Sequence, residues 1–138
     1  MAKRKVDHFT DLDVWRKSHE LFLEVLKELD GLPRTWAASA LTDQIVRSLG
    51  SVGANVAEGF NRSKAKFLNS LDIALGETNE SENWLYKLRD LGFLPRERAN
   101  AHVRQCIEVQ KMLGALMRAI RTRPDQRPTN NQQPTTNN

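Results

Sequence analysis

Residues 44–62, Gln44 to Arg62, read QIVRSLGSVGANVAEGFNR, and the reading of this stretch decides the fold. Ile45, Leu49, Val52 and Val56 recur by four, three and four, the spacing of one helix face. Arg47, Ser51, Asn55 and Glu58 follow by four, four and three, a polar stripe down the same helix. Gly50, Gly53, Ala54 and Ala57 lie beside that stripe. A glycine inside a helix costs about 1 kcal/mol against alanine, so two of them need a compensating contact, most simply a neighbouring backbone at close approach. Such a helix reads as one to be enclosed by others.

Working outward, the chain supplies three more helices. Upstream, Thr10 followed three residues later by Asp13 resembles a capping box with a shorter acid and predicts a helix start. Leu12, Trp15, His19, Phe22, Leu26 and Leu29 then alternate by three and four, with Val14, Leu21 and Val25 widening the apolar stripe. Asp30-Gly31-Leu32-Pro33 ends this helix, glycine as a left-handed cap and proline forbidding continuation. The quoted helix begins between Thr35 and Ala40 and stops at Gly59, and Asn61-Arg62-Ser63 makes the turn. With Ser63 as cap, a third helix carries the seam Phe67, Leu71, Ala74, Thr78, Ser81, Leu85 and Leu88, polar in its middle from Gly76 to Asn83, and stops near Leu91-Gly92. Pro95 suits the first turn of a fourth, whose seam is Ala99, Val103, Cys106, Gln110, Leu113, Met117 and Ile120. Four helices on short connections, with apolar repeats mostly seven residues long, predict an all-α, antiparallel up-down-up-down four-helix bundle.

Composition sets the boundaries. Residues 122–138 contain three prolines and no aliphatic or aromatic side chain, so they lack the surface to order themselves and read as a disordered polar tail. Residues 1–8 form a basic arm, and residues 9–121 are left for the bundle, enough for one modest core. One cysteine, Cys106, excludes an internal disulfide and fits a reducing compartment, with the cytoplasm as the expected address. Three scattered histidines without a second cysteine suggest neither a metal nor a cofactor. No apolar run approaches the roughly 18 residues of a membrane span, and the opening MAKRKVDHF lacks the apolar segment of a signal peptide.

The net charge of +4 is unevenly placed. Lys3, Arg4 and Lys5 lead the chain, residues 96–123 hold seven basic against two acidic side chains, and the segment between is net negative. In an up-down bundle the start of helix one, the second turn and the end of helix four share one pole. That gathers Lys3, Arg4 and Lys5 with Arg62, Lys64, Lys66, Arg118, Arg121 and Arg123, opposed mainly by Asp7, Asp11, Asp13 and Glu58. The other pole collects Glu24, Glu28, Asp30, Asp43, Glu80, Glu82 and Asp90, diluted by Lys87, Arg89, Arg96 and Arg98. Arg104, Lys111 and Arg118, seven apart, extend a basic stripe along helix four. Such a surface suits RNA or DNA phosphates, and the N–H groups opening helix three near Lys64 can receive a phosphate oxygen. The plainer reading, cations that merely solvate a surface, stands beside it.

The aromatics add little to a nucleic-acid reading. Trp15, Phe22 and Phe67 fall on apolar seams, and Phe60 stands alone in a turn. Trp36, Trp84 and Tyr86 are unassigned by the pattern, the last two suiting a second apolar surface for a partner subunit. Arg47, Asn55, Glu58 and Glu80 include the carboxylates and arginine of acid–base chemistry, but no nucleophile with an adjacent base, Gly-rich phosphate loop or metal set accompanies them. With Ser51 they read as a polar network or oligomer interface, His19 as a core histidine, and Cys106 as a small buried hydrophobe. The chain does not read as an enzyme.

These residues resemble a bacterial family, the small four-helix proteins encoded within intervening sequences of large-subunit ribosomal RNA genes. The resemblance lies in Phe9-Thr10-Asp11-Leu12-Asp13-Val14-Trp15, Gln44-Ile45-Val46-Arg47-Ser48, Ser51, Asn55-Val56-Ala57-Glu58-Gly59, Ala74-Leu75-Gly76 and Leu91-Gly92-Phe93-Leu94. The family pattern has Gly-Ser where this chain has Gly76-Glu77, and the Pro/Asn/Gln tail is an addition. The resemblance implies a four-helix bundle and a ring-like homo-oligomer, a pentamer. It also implies kinship with accessory variability proteins of diversity-generating retroelements, which work with a reverse transcriptase and its template RNA. The leading expectation is thus a non-enzymatic, homo-oligomeric bundle binding RNA or DNA through Arg62, Lys64, Lys66, Arg104, Lys111, Arg118, Arg121 and Arg123, as an accessory to a reverse transcriptase. The alternative is a structural or protein-interaction module without a nucleic-acid partner.

Overall fold

A computed structural model gives the fold and describes residues 5–124. A 3-10 turn, Phe9–Asp11, leads into α1 (Asp13–Leu29), α2 (Trp36–Gly59), α3 (Lys64–Asp90) and α4 (Arg96–Arg121). Pairs of touching residues fix the directions. Ser48 meets Ser81 while Gly59 meets Ser70, so α3 runs back along α2. Gln110 bonds Glu82 while Asn100 bonds Arg89, so α4 reverses against α3. Lys17 pairs with Glu108 while His102 meets Glu28, so α1 opposes α4. Trp15 against Gly53 and Phe22 against Gly50 close the ring between α1 and α2. The up-down-up-down bundle is therefore the observed topology.

The expected cap is found at α3, where Ser63 Oγ accepts from Lys66 N at 3.3 Å, and α2 opens within the expected span, capped by Thr35 Oγ1, which accepts from Ala38 N at 3.2 Å. At α1 the expected cap is not found. The box closes two residues earlier: Asp11 Oδ2 accepts from the N–H groups of Asp7 and His8, both at 3.0 Å, and Thr10 N turns to the His8 ring. Thr10 is unable to cap α1 because it belongs to the 3-10 turn, its hydroxyl 2.9 Å from His8 Nδ1. Nor is Gly31 left-handed; α1 closes with a tight turn in which Gly31 N donates to Glu28 O and Leu32 N to Leu29 O, both at 3.1 Å. The positive φ angles fall at Asn61 (62°) and Gly92 (76°), after α2 and after α3. Thr122 and Arg123 still cap α4 through N–H bonds to Arg118 O and Ile120 O. The rest of the expected tail beyond Pro124, with Lys3 and Arg4, lies outside the described residues.

The buried face of α1 also differs from the expected seam. Val14, Ser18, Leu21, Val25 and Leu29 point inward, while Trp15, Phe22 and Leu26 are half-buried and His19 is exposed, stacked on Trp15 at 4.7 Å. The serine at the middle of the true seam masks it in the sequence. Its polarity is absorbed locally, since Ser18 Oγ donates to Trp15 O at 2.8 Å. The glycines of α2 are explained here too, by aromatic side chains rather than by backbone. A Cβ on Gly53 would sit 3.4 Å from Trp15 Nε1, and one on Gly50 3.4 Å from Phe22. Opposite α1, Leu71, Ala74, Leu85 and Leu88 of α3 pack with Ile45, Val52 and Val56 of α2 and Val109 and Leu113 of α4.

Cys106 is fully buried in that core, and burial, with the Glu82 charge second, pushes its thiol up to about 12. An exposed thiol ionises near 8.5, so with rising pH the unfolded chain releases its proton first. The thiol's stabilising contribution is intact below that value and is lost as pH climbs toward 12. We expect the melting temperature of the wild type to fall faster than that of Cys106→Ala between about pH 8.5 and 10.5. Parallel curves would count against this assignment.

Candidate nucleic-acid interface

The α2–α3 turn builds one pole. Phe60 N donates to Val56 O and Arg62 N to Gly59 O, both at 3.2 Å, and Asn61 takes the left-handed conformation between them. Gly59 lets the helices close: a Cβ there would meet Ser70 Cβ at 2.6 Å and Phe67 at 3.0 Å. Lys64 ties the end of α4 to this turn, its Nζ donating to Arg121 O at 3.1 Å and Arg123 O at 2.7 Å. A cation on the last carbonyls of a helix satisfies acceptors that have no partner within the helix and suits its dipole. Lys64 is thus spent on structure, and the same bonds bring Arg121 and Arg123 beside Arg62 and Lys66.

Most described cations of this pole and of the α4 stripe stand without a carboxylate partner. Among the described residues Arg62, Lys66, Arg104, Lys111, Arg118, Arg121 and Arg123 are exposed and form no ion pair within 4 Å. At the far pole Arg89 and Arg96 pair with Asp90, at 2.9 and 3.8 Å, and Arg98 with Glu28 at 3.5 Å, while Lys27 and Arg34 there are exposed and unpaired among the described residues. Arg89 accordingly holds the Asp90 carboxyl below its ordinary value. The acids near the first pole are mostly engaged: Asp7 with Lys5 at 3.8 Å, Asp13 with Arg16 at 2.7 Å, and Asp11 with backbone N–H groups. Glu58 is the exception. It shares a hollow of about 280 Å³ with Arg62, Ala65, Lys66, Asn69 and Ser70.

The polar stripe of α2 does not act as one network. Arg47 is exposed and reaches across to α3, 3.5 Å from Glu77 Oε2 and hydrogen-bonded to Glu80 Oε1, which also accepts from Trp84 Nε1 at 3.3 Å. Burial, then the neighbouring Glu80, raise the Glu77 carboxyl above its ordinary value, with Arg47 opposing. Asn55 Nδ2 donates within its own helix to Ser51 O at 2.7 Å, and Glu58 sits one turn further on, at the basic pole. The enclosed polar pair is a different one. Ser81 Oγ lies 2.8 Å from Ser48 Oγ, and each hydroxyl also has a carbonyl of its own helix within reach, Glu77 O and Ile45 O. Two serines on facing apolar seams were the sequence signal for it.

The aromatics are accounted for inside the chain, with one exception. Phe60 meets Phe67 edge-on at 6.3 Å, Lys87 lies over Trp84 at 5.7 Å, and Arg89 lies over Tyr86 at 4.9 Å. Tyr86 Oη donates to Glu82 at 2.6 Å, which raises its pKa. Trp36 alone stands out, 86% exposed at the start of α2. Among the described residues no helix is long and apolar enough to cross a membrane, and no group of three His, Cys, Asp or Glu is placed to hold a metal.

Comparison with known proteins agrees with the bundle. A solved structure from Bacteroides thetaiotaomicron VPI-5482, a protein of unknown function from the S23 ribosomal protein family, is similar with a TM-score of 0.70 and 32% identity. The match covers 75% of this chain and 97% of that one. No curated protein matches. A family model described as 23S rRNA-intervening sequence protein matches residues 10–115, most of the described bundle, and the chain therefore belongs to the 23S rRNA-intervening sequence protein family.

Proposed function

We propose that this chain is a non-enzymatic bundle that assembles with copies of itself and holds RNA or DNA phosphates at its basic pole. The observation that carries the reading is the clustering of five exposed cations without a carboxylate partner among the described residues, Arg62, Lys66, Arg118, Arg121 and Arg123, at one end of the molecule, whereas at the other end Arg89, Arg96 and Arg98 are paired. Unpaired guanidinium and ammonium groups need no competing carboxylate displaced before they meet a phosphate. The non-enzymatic reading is supported by the candidate nucleophiles: Cys106 is buried with its thiol held protonated, and Ser48 and Ser81 bond to each other. Copies joined in a ring, five by the family resemblance, repeat a weak site and gain avidity. Kinship with retroelement accessory proteins extends the proposal to an RNA that a reverse transcriptase copies.

The test is a salt titration of single-stranded RNA binding. If Arg62, Lys66, Arg118 and Arg121 each neutralise one phosphate, log K falls against log salt with a slope of about −3. Reversing Lys66 or Arg121 to glutamate should flatten the slope and leave helicity unchanged. Lys64 is unsuitable for this purpose because its loss also frees the carbonyls of α4. Absence of salt-sensitive binding by the intact assembly would favour a protein-interaction module, for which Trp36 is the exposed anchor.

A further inference from the structure

We infer that the hollow between the end of α2 and the start of α3 is a base-reading subsite, selective for an unpaired guanine. The inference rests on the phosphate-binding reading above and adds a base to it. Five polar side chains, Glu58, Arg62, Lys66, Asn69 and Ser70, line this hollow, and none forms a side-chain hydrogen bond or ion pair among the described residues. Single charges such as Lys27, Arg34, Asp43 and Glu97 also stand without partners among the described residues, but here five unpartnered polar groups, with charges of both signs, share one concavity. A volume of about 280 Å³ is near the lower end for pockets that hold small ligands.

The carboxylate is what gives the site its character. In a surface meant only for phosphates, Glu58 is a repulsive group. It nonetheless shares the hollow with Arg62 and Lys66 and stays more than 4 Å from both cations, so it is not neutralised by either. A free carboxylate beside two free cations matches a ligand carrying N–H donors and a phosphate at once. Of the four RNA bases, guanine alone presents two adjacent N–H donors, N1–H and N2–H, on its Watson–Crick edge, and these suit the two oxygens of one carboxylate. The Asn69 amide offers an N–H to the neighbouring guanine O6, leaving Arg62 and Lys66 for the phosphate. That edge is open only in single strands, loops or ends. The floor is firm, because Ser70 closes directly on Gly59.

Three fluorescein-labelled single-stranded RNAs test this: ten adenosines, the same strand with one central guanosine, and the same strand with inosine there, which lacks the N2 amine. The wild-type protein is expected to bind the guanosine strand roughly tenfold tighter than the all-adenosine strand, as a bidentate base contact gives, with inosine between. Glu58→Gln and Glu58→Ala, at an exposed position, should erase the preference while keeping the salt slope. Equal wild-type affinities with an intact slope overturn the guanine site and leave phosphate binding standing. A preference that survives Glu58→Ala overturns it as well. Loss of all salt-sensitive binding in the wild type removes the phosphate reading and this one together.

Discussion

Replacing Gly59 with alanine is expected to destabilise the bundle by about 2 kcal/mol, within the range for overpacking a close-fitted core. Helix propensity alone predicts the opposite sign, since alanine is favoured over glycine by about 1 kcal/mol. Contact with α3 decides the matter. A new Cβ would lie 2.6 Å from Ser70 Cβ and 2.8 Å from Ser70 Oγ. A hydroxyl can rotate away, but a Cβ moves only with its backbone, so α3 must shift near its start. Thermal or urea unfolding checks this, with a fall in melting temperature of several degrees expected. Ser70→Gly in the Gly59→Ala background should recover part of the loss, giving a favourable coupling in the double-mutant cycle. A Gly59→Ala protein as stable as the wild type would show that the helices are not in contact here.

The second large effect concerns α1. Leu21→Ala should cost about 3 kcal/mol, whereas Phe22→Ala, which removes a larger side chain, should cost less than half as much. Leu21 is 1% exposed at the middle of the inward face, and Phe22 lies half-buried over Gly50 at its edge. Urea midpoints of the two variants measured together settle the order. If Phe22→Ala proves the more damaging, α1 is rotated from the position described.

That rotation marks where the sequence was legible and where it was not. On α3 the seam Leu71, Ala74, Thr78, Ser81, Leu85 and Leu88 could be read directly, because one face was apolar or small and the other polar. On α1 the apolar arc was so broad that spacing could not choose its centre, and Ser18 broke the run that in fact faces inward. The common pole followed from connectivity, and the Lys64 bonds to the end of α4 show it in the structure. What spacing could not reveal was the division of labour within a patch. Lys64 and Lys66 are indistinguishable in the sequence, yet one is bonded to carbonyls and the other is free. Glu58 likewise sat on a stripe with Arg47 by arithmetic, although Arg47 is drawn across to α3 by Glu80 and Glu77. Pairing across helices depends on register, and register is a property of the packed bundle.

The grip of Lys64 on α4 has a practical consequence. The segment before α1 also lies at this end, where Val6 and Asp11 border Met112 and Leu116. An affinity handle or dye joined near residue 5 or residue 124 would therefore hang across the cations and obstruct the surface it was meant to report on. The bend at residues 91–95, at the opposite extremity, is the place to attach a reporter that leaves that surface clear.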